Sequence, residues 1–421
     1  MKIGMGMTIR ITRLWVIAFA GLTALAVRPP AASEAASVYG QAMLGERIES
    51  GDIRAVTLGG SMQMFVDSLG VLQQNTALLA KIPRVTIGAN QYVAIDEGRS
   101  NEYNERDISA VFSGFKLVFP TLIGIRLAAG YVGRFTPDGG FAIKSVSSGG
   151  DAYSTTYKRS GSLFSLPISV AFDVTRFASI GLTYSFEQGT VEDRYDILFD
   201  NRSFSPGVGL KKEDLRGHGF GGGLAFYPLS GLVLGFNYDS QIDYDGEAYE
   251  KYTQTGLDTS YTTSVTLPER YSLGASWLLG DDYLLLASAA WSDFTKFRGL
   301  AFPADRLLKE RDFAVGFEYV RGLRIRSLRL PIRLSLSYHE LPFAYAGGPV
   351  NDPDNQKQVT SYLVGFGTGF EIGNGRGKID LGVLVGRQGS IAENGIEDRL
   401  VRVYLGLSGS EVWKRKGGRM E

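Results

Sequence analysis

Two histidines, no cysteine and 44 residues of each charge sign narrow the chemistry open to this 421-residue chain. Without cysteine there is no thiolate nucleophile, thiolate metal site, disulfide or lipoprotein anchor. His218 and His339 are too few for a multi-histidine metal centre, so neither a metal nor another cofactor is expected. His339-Glu340 could pair a base with an acid. Ser335 and Ser337 share its face, but same-face residues on a strand lie ~7 Å apart, beyond the ~3 Å reach of a general base. His339 better suits a lumen hydrogen-bonder. "GHGFGG" (217–222) matches G-x-G-x-x-G, but a strand follows where a dinucleotide site needs a helix. Glycines lining a crowded lumen explain it better. "GNGRGK" (373–378) falls at a hairpin turn and lacks P-loop spacing. A formal net charge of zero leaves no footprint for nucleic acid. No catalytic residue is assigned, and an enzyme is not expected.

The elements that carry these residues divide the chain into three parts. Lys2, Arg10 and Arg13 precede an apolar run from Leu14 to Val27, and small residues with a Ser33-x-Ala35 cleavage site follow. That run is short of the ~20 residues a transmembrane helix needs. Residues 1–35 therefore read as a secretory signal peptide. Residues 36–82 form a second part, in which Met62, Phe65, Val66 and Leu69 have helical spacing. From residue 83 to 421 the period becomes two. In "SIGLTYSFEQG" (179–189), Ile180, Leu182, Tyr184 and Phe186 alternate with Gly181, Thr183, Ser185 and Glu187.

Fourteen such stretches are present, near 84–95, 107–119, 121–134, 153–174, 178–193, 215–228, 231–246, 261–279, 283–297, 310–320, 330–346, 359–372, 377–389 and 397–409. Short links alternate with long polar ones near 96–106, 135–152, 194–214, 247–260, 298–309, 347–358 and 390–396. Only the link at 321–329 breaks the alternation. Strands long enough for the ~9–11 residues of a membrane crossing, with asymmetric loops and an even count, describe an outer-membrane barrel. The expected fold is all-β: a 14-stranded antiparallel transmembrane β-barrel with residues 36–82 as an N-terminal hatch in the lumen. Arg126, Asp173, Glu187, Asp239, Glu318, Arg333, His339, Asp380 and Arg402 are expected to face inward, to pair with one another or with the plug. Tyr131, Tyr153, Tyr244, Trp291 and Tyr319 are expected in the interfacial girdle.

Four stretches resemble the FadL-type outer-membrane transporters of long-chain fatty acids and other hydrophobic compounds. "LGGSMQMFVDSLGVLQQNTALLA" (58–80) is similar to the family's hatch, with Asp67 and Asn75-Thr76-Ala77 at the motif and Thr76 where the family carries proline. "GHGFGGGLAFYPLSGLVLGFNYDSQIDYDG" (217–246), "LPERYSLGASWLLGDDYLLLASAAWSDFTKF" (267–297) and "LPIRLSLSYHELPF" (330–343) are similar to its central and late hairpins. The resemblance implies passive uptake of a hydrophobic small molecule. Ligand would be captured among apolar outer loops, held against the hatch, and released sideways at a kink in the third strand, where Gly124, Gly130 and Gly133 lie. The candidate substrate-binding residues are Phe65, Leu69, Asn75, Ala77, Leu78 and Leu79 in the hatch, and Phe199, Phe204, Tyr249, Tyr252 and Phe302 in the loops. Arg126, Arg333 and Arg402 are the inward cations for an acidic ligand. The expected partners are such a ligand and outer-membrane lipid, around a monomer in the bacterial outer membrane. Two alternatives stand beside this: a structural, assembly or secretion-associated barrel that binds proteins, and a lipid-acting barrel enzyme.

Overall fold

A computed structural model describes the chain except residues 1–37, 60–63, 101–103, 148–149, 202, 255, 300–306, 327, 347–355 and 412–421. The proposed signal peptide lies outside the described residues.

Alternation of apolar and small or polar residues produces one closed antiparallel barrel of fourteen strands. In chain order these are β1 (Val85–Ser100), β2 (Asn104–Pro120), β3 (Arg126–Thr136 and Gly139–Val146), β4 (Ala152–Thr175), β5 (Ala178–Phe199), β6 (Gly207–Leu229) and β7 (Leu232–Asp239 and Ile242–Tyr252). They continue as β8 (Leu257–Leu267 and Arg270–Leu279), β9 (Tyr283–Asp293), β10 (Lys309–Ile325), β11 (Leu328–Ala346), β12 (Gln356–Ile372), β13 (Gly377–Ser390) and β14 (Ile396–Glu411). Each pairs with its neighbours, and β14 pairs with β1 from Ile396↔Ser100 to Glu411↔Val85, so no edge remains at the closure. The interruption in β3 falls at Pro137, and that in β8 at Pro268, where a missing N–H cannot join the ladder.

Two expectations about the connections change. The link at 321–329 is a tight turn, because β10 runs on to Ile325 and β11 resumes at Leu328, with Arg326 at φ 56°. Much of the expected long loops is strand: β4 to β8 extend well past the length a membrane needs and rise as a curtain at the loop end. Continuous cross-strand pairing there satisfies backbone groups that a loop would leave to water.

The outward face is apolar in a band. On β5 it holds Ile180, Leu182, Tyr184 and Phe186, with Leu182 about half exposed. Aromatic contacts mark its rims: Tyr271 against Trp291 and Tyr338 against Tyr362 on the loop side, Tyr283 against Tyr319 on the turn side. Trp291 and Tyr319 thus stand where the girdle is expected. Tyr244 does not: it is fully buried inside the barrel, because Gly217 opposite leaves room for its ring. Tyr153 lies against Phe199 at the tip of the curtain.

The lumen is filled by the chain's own residues 38–59 and 64–84. They run from the loop end, where Tyr39 bonds the Ile396 carbonyl on β14, to the turn end, where β1 begins. This segment is mostly irregular. Helical spacing over 62–69 does not give a helix: from Met64 to Asn75 there is none, and the regular pieces are Val38–Gln41, Ile53–Val56 and the 3-10 turn Thr76–Lys81. Its apolar residues instead fall in small clusters against different parts of the wall, Ile48, Ile53 and Val56 in one, Ala55, Leu58 and Phe65 in another, and Val71, Leu79, Ala80 and Ile82 in a third.

A belt of inward glycines makes the fit possible. A Cβ at Gly88, Gly181, Gly223, Gly235, Gly274, Gly316 or Gly406 would fall within 3 Å of Val71, Thr76 and Ala77, Asn75, Met64, Met64 again, the Leu58 backbone or Ile53. Real Cβ atoms essentially never approach so closely. The high glycine content, 54 residues, is thus partly the negative image of the plug.

Candidate functional site

Three layers are stacked along the lumen. At the loop end is an apolar layer. Phe135, Leu163, Val191, Leu215, Ile242, Val265, Phe294, Phe343 and Val359 on the wall and loops enclose Tyr39, Met43 and Leu44 of the lumen segment. Arg159, buried and paired with Asp193 at 2.6 Å, donates to the Gln41 and Met43 carbonyls and pins that segment in place. The apolar space under the loops is therefore occupied by the protein's own side chains.

Below it lies a polar chamber of ≈ 200 Å³. Arg47, Lys116, Arg134, Arg270 and Arg402 face it together with Glu46, Glu49, Asp239, Glu310 and Asp312. Arg47 meets Glu310 at 3.3 Å, Glu310 meets Arg270 at 2.6 Å, Arg270 meets Asp312, and Asp312 holds His339 Nδ1 at 2.7 Å. Among the described residues no hydroxyl bonds His339, so the arrangement is an ion-pair ladder.

Deeper still, a closed ring of six charges ties the segment to the wall. Asp67 meets Arg54 at 3.2 Å, Arg54 meets Glu318 at 2.7 Å, and Glu318 meets Arg333 at 3.0 Å. Arg333 meets Asp380 at 2.8 Å, Asp380 meets Lys378 at 2.9 Å, and Lys378 returns to Asp67 at 2.7 Å. Burial alone would raise the Asp67 carboxyl, but Lys378 and Arg54 outweigh it and hold it well below the usual range. Nearby Asp52 is buried without such a partner, and burial pushes its carboxyl up to about 7.

The wall is open between β2 and β3. β2 and β3 pair only from Gly114↔Val132 to Pro120↔Arg126. Beyond Gly114 the two strands no longer pair, and Arg134 of β3 reaches Glu187 on β5, two strands along the wall. The lumen segment takes the vacant edge of β3: Glu46 pairs with Thr136, Arg47 with Phe135, and the Ile48 N–H donates to the Arg134 carbonyl at 2.9 Å. Ile48 also stands against Gly133, where a Cβ would be 2.9 Å from its Cδ1. Phe135 belongs at once to the apolar layer and to this seam.

The residues chosen from sequence are not brought to one place. Phe65, Leu69, Asn75, Ala77, Leu78 and Leu79 are all buried, but in the turn-side half. Asn75 caps the 3-10 turn through the Ala77 N–H and donates to the Leu224 and Phe236 carbonyls of β6 and β7. Thr76 shares a 2.7 Å hydrogen bond with Thr183, a role proline could not fill. Phe199 and Phe204 meet at 5.1 Å at the curtain tip, where Tyr249 and Tyr252 are half-buried, and Phe302 is outside the described residues. Of the three cations, Arg126 is spent on the Ile82 and Gly124 carbonyls at the inner mouth and Arg333 on the six-charge ring. Arg402 reaches the chamber, paired with Glu46. Sequence reasoning missed Tyr39, Met43, Leu44 and the Glu46–Ile48 seal. The only sign of them was that residues 36–57 lack the dyad pattern.

The fold and lumen define a plugged, fourteen-stranded transmembrane β-barrel. Solved structures similar to it include a FadL homologue of Pseudomonas aeruginosa, at 14% identity and a TM-score of 0.56 over 89% of this chain and 100% of that one. Others are the toluene transporter TodX of P. putida, at 13% and 0.57 over 87% and 100%, and the toluene transporter TbuX of Ralstonia pickettii, at 13% and 0.57 over 86% and 99%. At such identities the likeness is one of fold. No curated protein sequence matches the chain. The chain belongs to the BamG family, whose model matches residues 11–417.

Proposed function

We propose that the protein is a bacterial outer-membrane channel through which a hydrophobic small molecule, a long-chain fatty acid or a hydrocarbon, passes without an energy source. Residues 1–35 would be removed on export, leaving a monomer with the 36–82 segment as its gate. One observation carries the proposal: the apolar layer beneath the loops adjoins, at Phe135, the stretch beyond Gly114 where β2 and β3 do not pair. A ligand entering there displaces Tyr39, Met43 and Leu44, lifts Glu46–Ile48 from β3, and leaves sideways into lipid. That route stays above Arg270, Asp312 and His339, and its cost falls on the pairs of Glu46 with Arg402 and Arg47 with Glu310, which part when the seal lifts. Each methylene transferred to the apolar layer gains ~0.8 kcal/mol.

The test is titration of the detergent-solubilised protein with a fluorescent fatty acid and an aromatic hydrocarbon. Met43→Ala with Leu44→Ala should bind more tightly, because less of the protein's own apolar surface must be displaced. Phe135→Asp should abolish binding. If no apolar probe binds any form, the proposal fails.

A second possibility, a structural or assembly barrel that acts through protein partners, is favoured by the glycine belt and six-charge ring, which seat the plug more firmly than a moving gate requires. A co-purifying protein together with absent ligand binding would support it. A lipid-acting enzyme has less in its favour, since among the described residues no hydroxyl bonds His339 to act as a nucleophile.

A further inference from the structure

Two arginines stand side by side on the outer surface, and of the two only Arg399 has a carboxylate partner among the described residues. Arg387 on β13 and Arg399 on β14 are direct cross-strand partners. Like charges so placed repel and destabilise a strand pair. Arg399 meets Glu397 at 3.3 Å and remains exposed. Arg387 has no carboxylate partner among the described residues, and its guanidinium lies 5.8 Å from the centre of the Tyr362 ring. The register continues round the barrel: Arg399 faces Glu97 on β1, and Glu97 faces Arg106 on β2. Glu97 is already engaged by Arg99 at 2.6 Å. The patch of Arg99, Arg106, Arg387 and Arg399 thus carries two more cations than Glu97 and Glu397 neutralise.

Its height on the barrel identifies what it meets. Directly beneath Arg387 the outward residues of β13 are Val385, Val383, Leu381 and Ile379, and beneath Arg399 those of β14 are Val401, Val403, Leu405 and Leu407. Val385, Leu381 and Val403 are exposed, as residues facing lipid tails must be. Tyr362 and Tyr338, at the same level as the arginines, form the loop-side aromatic rim. The arginines therefore sit where the hydrocarbon ends and the headgroups of the outer leaflet begin.

We infer that Arg387 and Arg399, with Arg106 beside them, form a binding site for the phosphate of an outer-leaflet lipid. Two planar guanidinium forks on adjacent strands can each donate paired N–H bonds to phosphate oxygens, which removes their mutual repulsion. The lipid's acyl chains then follow the apolar strips of β13 and β14. The site depends on the barrel's orientation in the membrane and not on any ligand passing through the lumen.

The experiment uses the full-length protein in mild detergent, with bisphosphorylated lipid A as probe and binding followed by native mass spectrometry and by thermal shift. The wild type should retain lipid A and be stabilised by it. Arg387→Gln with Arg399→Gln should bind about tenfold more weakly or worse, the loss of charge-assisted contacts. Arg311→Gln, at a similar height but paired with Glu340, serves as the matched control and should bind as wild type. Dephosphorylated lipid A should bind the wild type no better than it binds the double variant. Equal lipid A binding by wild type and double variant would overturn the inference. So would displacement of lipid A by millimolar inorganic phosphate, which would make the site one for free anion. Heat-modified gel mobility verifies that each barrel is folded.

Discussion

Gly316 and Gly235 allow the fit between plug and wall to be measured. A Cβ at Gly316 would overlap the backbone of Leu58, its carbonyl oxygen and carbon included, and backbone cannot swing aside. A Cβ at Gly235 would overlap the Sδ of Met64, the far part of a flexible side chain. At Gly409 nothing lies within 4 Å of the same atom. None of the three has a positive φ, so alanine is tolerated by the backbone itself. Gly409→Ala should therefore be neutral or gain up to ~0.5–1 kcal/mol from reduced chain entropy. Gly316→Ala should lose ~1–3 kcal/mol through overpacking. Gly235→Ala should lose less, and Met64→Ala should relieve it, with a coupling in the double-mutant cycle of ~0.5–3 kcal/mol. Urea midpoints of vesicle-refolded protein, read by gel mobility and tryptophan fluorescence, compare the four single variants and the Gly235→Ala, Met64→Ala double variant with wild type. If Gly316→Ala matched Gly409→Ala, or the cycle were additive, the plug would not be seated on the glycine belt.

Three further outcomes are expected. Arg333→Met should cost ~3–5 kcal/mol by leaving buried Glu318 and Asp380 short of a partner, whereas Arg311→Met, which removes an exposed pair, should cost less than ~1 kcal/mol; similar urea midpoints would contradict the six-charge ring. Asp52 binds its proton more tightly folded than unfolded, so its contribution is fully present below about pH 4 and is lost as pH rises through about 7. Asp52→Asn should match wild type near pH 4 and exceed it by roughly 1–3 kcal/mol at about pH 8, and a pH-independent difference in urea midpoint would refute this. Deletion of residues 36–82 should leave a barrel that inserts but conducts small polar solutes in planar bilayers, and wild-type conductance would mean the segment does not block the lumen.

The barrel was legible in the sequence because lipid imposes a strict rule: every second residue of a crossing strand must be apolar. Ile379, Leu381, Val383 and Val385 announce β13 on that basis alone. Inward charges such as Glu318, Arg333 and Asp380 were equally visible, because each would be costly against lipid. The plug was not, because its side chains answer to a three-dimensional mould and not to a period. Met64 is buried by Gly235 and Gly274, which are remote in sequence. The helical spacing of Phe65 and Leu69 proved accidental for the same reason. The loop-side ends of β5 to β8 were read as loop because their residues turn polar there, as Arg194 and Asp196 do on β5, while backbone pairing carries the strand onward. The seam was half visible. Gly130 and Gly133 mark close approach, but only the register shows that β3 leaves β2 at Gly114 and accepts Glu46–Ile48 instead.

The central claim is that Glu46–Ile48 must leave the edge of β3 for a hydrophobic molecule to pass. The chain has no cysteine, so Glu46→Cys with Thr136→Cys introduces one possible disulfide, between direct antiparallel partners whose Cα separation of ~4.5–5.5 Å suits the bond. Transfer of a fluorescent fatty acid should be followed into vesicles containing the oxidised protein, and again after reduction. The account predicts transfer stopped when oxidised and restored to the wild-type rate by reductant. Unchanged transfer through the oxidised, cross-linked barrel would contradict it.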